Sequence, residues 1–288
     1  MIETLPNSLG TGRRSGGTSA MPFRTIEISD PTLTPPGFHF ITVQSPALRQ
    51  RADLTVYVPA SADPRKPLPT VTLLHGVYGS HWAWAFKGGA HAILEKLIAA
   101  GRIQPMALLM PSDGLWGDGS AYMKHGDRDY ASWIVDEVAE AAAQADARLA
   151  GGPRFICGLS MGGFGALRLG ALHPETFTAF SGLSSATDLT QLEDLCRQSG
   201  FHYNLAPGQA RTVLEAILAN RAQLRPFRFD CGSNDFLIEP NRRLHRELTT
   251  AGIAHRYVEN PGEHIWPYWQ KHLGDSLEFF AEILAKSS

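Results

Sequence analysis

The chain is poor in cysteine. Its 288 residues include three, Cys157, Cys196 and Cys231. So sparse and odd a set gives no disulfide framework, and no C-x-x-C pair is present, so a reducing compartment is expected. No apolar run approaches the roughly 20 residues that span a bilayer. There is also no excess of charge: the formal net charge is -2, with acidic and basic residues interspersed. That balance excludes the electrostatic footprint of a nucleic-acid or anionic-membrane binder. What remains is 43% hydrophobic and 19% charged residues, enough for a sizeable core in a chain of this length.

Residues 1–20 are rich in Gly, Ser and Thr. Arg13-Arg14 is followed by Ser15-Gly16-Gly17-Thr18-Ser19, not by the apolar segment that a twin-arginine signal needs. Residues 1–21 read as a disordered leader, with Met21 a candidate start, and residues 22–288 as one domain. With no targeting signal read, the cytoplasm is the default location.

Three early β-prone segments, Phe23 to Ile28, Phe38 to Gln44 and Leu54 to Val58, read as antiparallel strands at one sheet edge. From Thr70 onward, short apolar strands alternate with helical patterns. Strands are expected at Thr70–Leu74, Pro105–Met110, Arg154–Cys157, Thr178–Leu183, Phe227–Cys231 and His255–Glu259. Helices are expected at 90–100, 130–149, 211–220, 240–251 and 267–286, and after the 154–157 strand. This order predicts an α/β fold with a mostly parallel central sheet and helices on both faces.

Gly158-Leu159-Ser160-Met161-Gly162 has the form G-x-S-x-G, between a strand and a helix-compatible run. That is the context of a nucleophile elbow, in which a serine stands on a sharp turn at a helix N-terminus. A serine hydroxyl needs a base, and the base needs an orienting acid. On such a sheet the partners follow in the order Ser, acid, His. Of 11 histidines, His264 alone falls after the last strand and before the closing helix. His245 and His272 fall in helices, His255 on a strand, and His75 before a turn glycine. Asp235, just past the 227–231 strand, is the favoured acid. Asp188 is its rival, while Asp230 lies in a strand and Glu239 at a helix start. Oxyanion donors are expected from the N–H groups of Met161, after the nucleophile, and of Val77, in the loop after the 70–74 strand. Aromatics at the same end of the sheet, Tyr78, Trp82, Trp84, Tyr122 and Trp266, suggest a substrate pocket.

Taken together, Leu74-His75-Gly76, Gly158 to Ala166, Cys231 to Leu237 and Pro261 to Trp269 resemble the esterase D / Putative esterase family of α/β-hydrolases. That family includes S-formylglutathione hydrolases, carboxylesterases, carbohydrate deacetylases, feruloyl esterases and mycolyltransferases. The resemblance covers about Phe38 to the C-terminus. It implies the α/β-hydrolase fold, Ser160, Asp235 and His264 as the triad, and Val77 and Met161 as oxyanion donors. Gly119-Ser120-Ala121-Tyr122 looks like the family's substrate-side loop. His75-Gly76-Val77-Tyr78-Gly79 departs from the Ser-Gly-Leu-Thr-Cys segment of S-formylglutathione hydrolases and is closer to the tributyrin-type and carbohydrate-esterase branch. The expectation is a serine carboxylesterase for small-acyl esters, with a small-molecule ester as partner and no cofactor or metal. The rivals are a thioesterase or acyltransferase, and an inactive binding protein on the same fold. Oligomeric state, a homo-oligomer included, stays open.

Overall fold

The computed structural model describes residues 23–197, 203, 205 and 207–287. The expected leader and Met21 lie outside the described residues. Nine strands share one sheet: β1 Ile26–Ile28, β2 Phe38–Ser45, β3 Gln50–Tyr57, β4 Thr70–Leu74, β5 Ala107–Pro111, β6 Arg154–Leu159, β7 Ala179–Leu183, β8 Phe227–Gly232 and β9 Arg256–Asn260. Their spatial order is β1-β2-β3-β5-β4-β6-β7-β8-β9. Pairing is antiparallel from β1 to β3 and between β3 and β5, and parallel from β5 through to β9.

The parallel strands are continuous apolar runs because both their faces are covered. All five residues of β4, of β5 and of β7 are buried. Alternate side chains enter two separate cores. Phe155 and Cys157 join Leu73, Trp84, Leu94 and Phe280 on one face. Ile156 joins Leu74, Trp133, Phe164 and Leu244 on the other. Helices Ala90–Ala99 and Trp266–Ser287 cover the first face. Helices Met161–Leu172, Val213–Ala219 and Ile238–Thr250 lie on the second.

The helix expected over 130–149 is not uniform. It runs Tyr130–Ser132, widens into a π turn at Trp133–Glu137, continues over Val138–Ala145, and gives way to a 3-10 turn at Ala147–Leu149. At the end of the π turn, the buried Glu137 carboxylate accepts from Ser45 Oγ (2.5 Å) and Ala47 N–H (2.7 Å) in the β2–β3 turn. Burial raises the Glu137 carboxyl above its usual range.

Candidate active site

β6 runs into the helix Met161–Leu172 through Ser160, which adopts φ 55°, ψ -117°. A non-glycine residue there costs of order 1–3 kcal/mol and persists only when its surroundings enforce it. The enforcement is visible. A Cβ on Gly158 would lie 2.2 Å from Gly162 O, and one on Gly162 would lie 2.2 Å from Leu74 O. Strand, helix and the end of β4 meet backbone to backbone, so no larger residue fits. Ser160 N–H donates to Leu183 O (3.0 Å), and Ala186 N–H donates to Ser160 O (3.2 Å). The turn is thereby tied to the end of β7.

The structure brings together the three residues expected as a triad. His264 Nε2 lies 3.0 Å from Ser160 Oγ, and His264 Nδ1 lies 2.9 and 3.1 Å from the Asp235 carboxylate oxygens. A carboxylate only accepts, so Nδ1 carries the hydrogen and Nε2 presents its lone pair to the serine hydroxyl. Asp235 is 2% exposed and also accepts from Leu237 N–H (2.8 Å). The loops bearing the acid and the histidine are joined by Ser233 N–H to Asn260 O and Asn234 N–H to Gly262 O. The imidazole lies between Phe236, at 4.4 Å, and the edge-on Trp269, at 5.0 Å. Asp188, the rival acid, is instead the N-cap of the helix Leu189–Leu195. Its Oδ1 accepts from Thr190 N–H and Oγ1.

Above Ser160 runs the loop after β4. A Cβ on Gly76 would sit 3.2 Å from Ser160 Cβ, so the loop backbone lies directly against the serine. Among the described residues, no acceptor is assigned to the N–H of Val77 or of Met161. His75, 2% exposed, holds this loop from beneath. Asp113 N–H donates to His75 Nε2 (3.0 Å), so the ring hydrogen is on Nδ1, which donates to Gly76 O (2.7 Å). Asp113 also accepts from the N–H groups of Leu115 and Ser120. Tyr122 OH donates to His75 O (2.9 Å). Burial raises the Tyr122 phenol well above its usual range, so it remains a donor.

A cavity of about 310 Å³ opens on Ser160 and His264. Its walls are Val77, Tyr78, Trp82, Ala83, Leu159, Leu195, Phe236, Trp266 and Trp269, with Lys87 and the backbone around His75–Gly79. Three of the five aromatics expected in a pocket, Tyr78, Trp82 and Trp266, line it. Two do not. Trp84 belongs to a short helix, Ala83–Phe86, that turns its indole inward, where Nε1 donates to Leu74 O (2.9 Å). Tyr122 is fully buried beneath the β4 loop. Ser120 and Ala121, in the segment expected on the substrate side, are likewise fully buried and support the site from behind. Leu195 and Lys87 are pocket residues that no motif singled out. Each follows a polar or aromatic helical stretch with nothing in its local pattern to set it apart from a solvated helix end.

A nine-stranded sheet with three antiparallel edge strands, a serine on a strained strand-to-helix turn, and an acid and a histidine after the last two strands define an α/β-hydrolase. The sequence model of the Putative esterase family matches residues 45–280, and the chain belongs to that family. It is a carboxylic ester hydrolase. The acetyl esterase of Caldicellulosiruptor saccharolyticus is 25% identical over 235 residues, covering 75% of this chain and 84% of that protein. Among solved structures, a ferulic acid esterase superposes with a TM-score of 0.72 at 23% identity, over 91% of this chain and 99% of the other. An S-formylglutathione hydrolase from Agrobacterium tumefaciens gives 0.70 at 20% identity, over 92% and 100%. No helix among the described residues is long and apolar enough to cross a membrane.

Proposed function

We propose that the chain is a serine carboxylesterase that hydrolyses small-acyl esters through Ser160, His264 and Asp235. The observation that carries this reading is the unbroken hydrogen-bonded line from Asp235 through His264 to Ser160 Oγ at the floor of an apolar cavity. Ser160 Oγ attacks the ester carbonyl as its proton passes to His264 Nε2. The carbonyl oxygen takes the negative charge, facing the N–H groups of Val77 and Met161. The carbonyl re-forms, the C–O bond to the alcohol breaks, and His264 returns the proton to the leaving oxygen. Water, deprotonated by the same nitrogen, then releases the acid from the acyl-enzyme and restores the serine. Asp235 keeps the imidazole in the tautomer this needs and stabilises its charged form. The acetyl esterase relative supports a short acyl group.

The test is a panel of 4-nitrophenyl esters from acetate to dodecanoate, run beside acetylated sugars and S-formylglutathione. Acetate to butyrate are expected to turn over fastest, and a fluorophosphonate is expected to label Ser160. Asp235→Asn should lower kcat by about 10²–10⁴ with KM little changed, as expected for a lost histidine orienter, while Asp188→Asn stays near the wild-type rate. A large loss in Asp188→Asn with a near-normal Asp235→Asn would move the acid to the earlier loop. Labelling at another residue would remove Ser160 as nucleophile. Absent labelling and turnover would favour a binding protein.

A further inference from the structure

Lys87 is a pocket residue that the proposed mechanism does not use. Among the described residues lining the cavity it is the one lysine or arginine, and no carboxylate lines the cavity with it. The cavity is otherwise lined largely by apolar side chains, among them Trp82, Leu159, Leu195, Phe236 and Trp269. Among the described residues Lys87 joins no ion pair. Its backbone is fixed on both sides, since its N–H donates to Ala83 O (3.0 Å) and its C=O accepts from Gln270 Nε2 (2.9 Å). Its ammonium lies 5.6 Å from the centre of the Trp266 ring, and that indole is itself packed edge-on against both Trp84 and Trp269. A cation held over an indole keeps its place while leaving its N–H groups free to donate. Lys87 is exposed, so its charge meets a ligand through solvent and is screened by salt, but as the one cation on an otherwise apolar lining it still favours a negative group on the ligand.

We propose that Lys87 selects esters that carry a carboxylate a few bonds from the scissile carbonyl. This proposal rests on the serine-esterase reading and narrows its substrate class. The carboxylate could sit on the acyl side, as in the half-ester of a dicarboxylic acid, or on the alcohol side, as in the acyl ester of a hydroxy acid. Both offer the same charge to the same ammonium. The chemistry at Ser160 is the same for either, and Lys87 contributes to binding.

The experiment uses matched pairs of esters with the full-length protein. The acyl-side pair is 4-nitrophenyl hemiglutarate and 4-nitrophenyl pentanoate. The alcohol-side pair is 3-carboxyphenyl acetate and 3-methylphenyl acetate. The readout is the ratio of kcat/KM for the anionic member over the neutral member. Lys87→Met is expected to lower this ratio about two- to fivefold in one pair, mainly through KM, as the loss of one solvent-exposed charge contact predicts. Lys87→Arg should largely retain the ratio, and 0.5 M salt should shrink the wild-type preference by screening. The pair that responds identifies the side on which the carboxylate lies. An unchanged ratio in both pairs for Lys87→Met, with the thermal midpoint intact, overturns the proposal and leaves the esterase reading standing. A wild-type enzyme that hydrolyses none of the four esters overturns both.

Discussion

His75 is the residue whose neighbours most constrain what it can do. Its Nε2 is occupied by Asp113 N–H, so Nδ1–H has to donate, and it donates to Gly76 O. That carbonyl shares a peptide unit with Val77 N–H, and the two point in opposite directions across a planar trans peptide. Pinning the oxygen toward His75 therefore turns the Val77 N–H away from His75. His75 acts as a positioning residue for the proposed oxyanion donor. His75→Asn keeps an N–H near the place of Nδ1, while His75→Leu removes it. His75→Leu is expected to lose about 10² in kcat with KM little changed, the scale of one missing oxyanion donor. His75→Asn should recover most of that. Equal losses in both variants would make the residue a packing element only. At this scale the sequence was informative where chemistry demands a residue type at a fixed place. The meeting of Ser160, Asp235 and His264 was legible because strand ends and loop order mark them. Trp84 and Tyr122 were not, because whether an aromatic faces a pocket or the core is decided by a short helix and a buried loop that leave no local pattern.

At the scale of elements, the helix Met161–Leu172 is set by backbone contact. Gly162 has no room for a Cβ, and the obstacle is the main chain of Leu74 and His75, which cannot rotate aside. Gly162→Ala is expected to cost about 3 kcal/mol or more by overpacking, a fall of roughly 6–12 °C in Tm for a chain of this size. Gly274→Ala is the counterpart. It lies in the helix Trp266–Ser287 with its nearest neighbour, Leu97 Cδ1, at 3.7 Å, so it should gain up to about 1 kcal/mol of helix propensity. Thermal unfolding of both variants checks the pair: a neutral Gly162→Ala would mean that β4 can yield. The parallel strands were legible as apolar runs and the closing helix as a long amphipathic pattern. The π turn at Trp133–Glu137 was not. It accompanies the bonds from Glu137 to a turn some 90 residues earlier, and helical periodicity carries no record of so distant a partner.

At the scale of the molecule, burial holds His39, His81, His91, His125 and His255 below their ordinary value of 6.5. Each stays neutral in the folded chain while the unfolded chain takes up protons near 6.5. Their contribution to stability is therefore complete above about pH 6.5 and is lost as pH falls through the lower folded values. Glu137 and Asp230, raised by burial, act in the opposite sense but are fewer. Thermal midpoints are expected to be flat between pH 8 and 7 and to fall from pH 6.5 to 5. A midpoint constant to pH 5 would contradict this account.

The sheet order has one more consequence, in time. Ser160 and His264 are 104 residues apart, and the strand ends that hold Asp235 and His264 are the last two strands in the chain. At about 5–20 residues per second of synthesis, the serine leaves the ribosome roughly 5–20 s before its proposed base does. During that interval the nascent chain holds an alcohol with nothing to deprotonate it. On the proposed triad, ester hydrolysis is withheld until the final strand and helix are in place, and a chain truncated before residue 264 is expected to be inert.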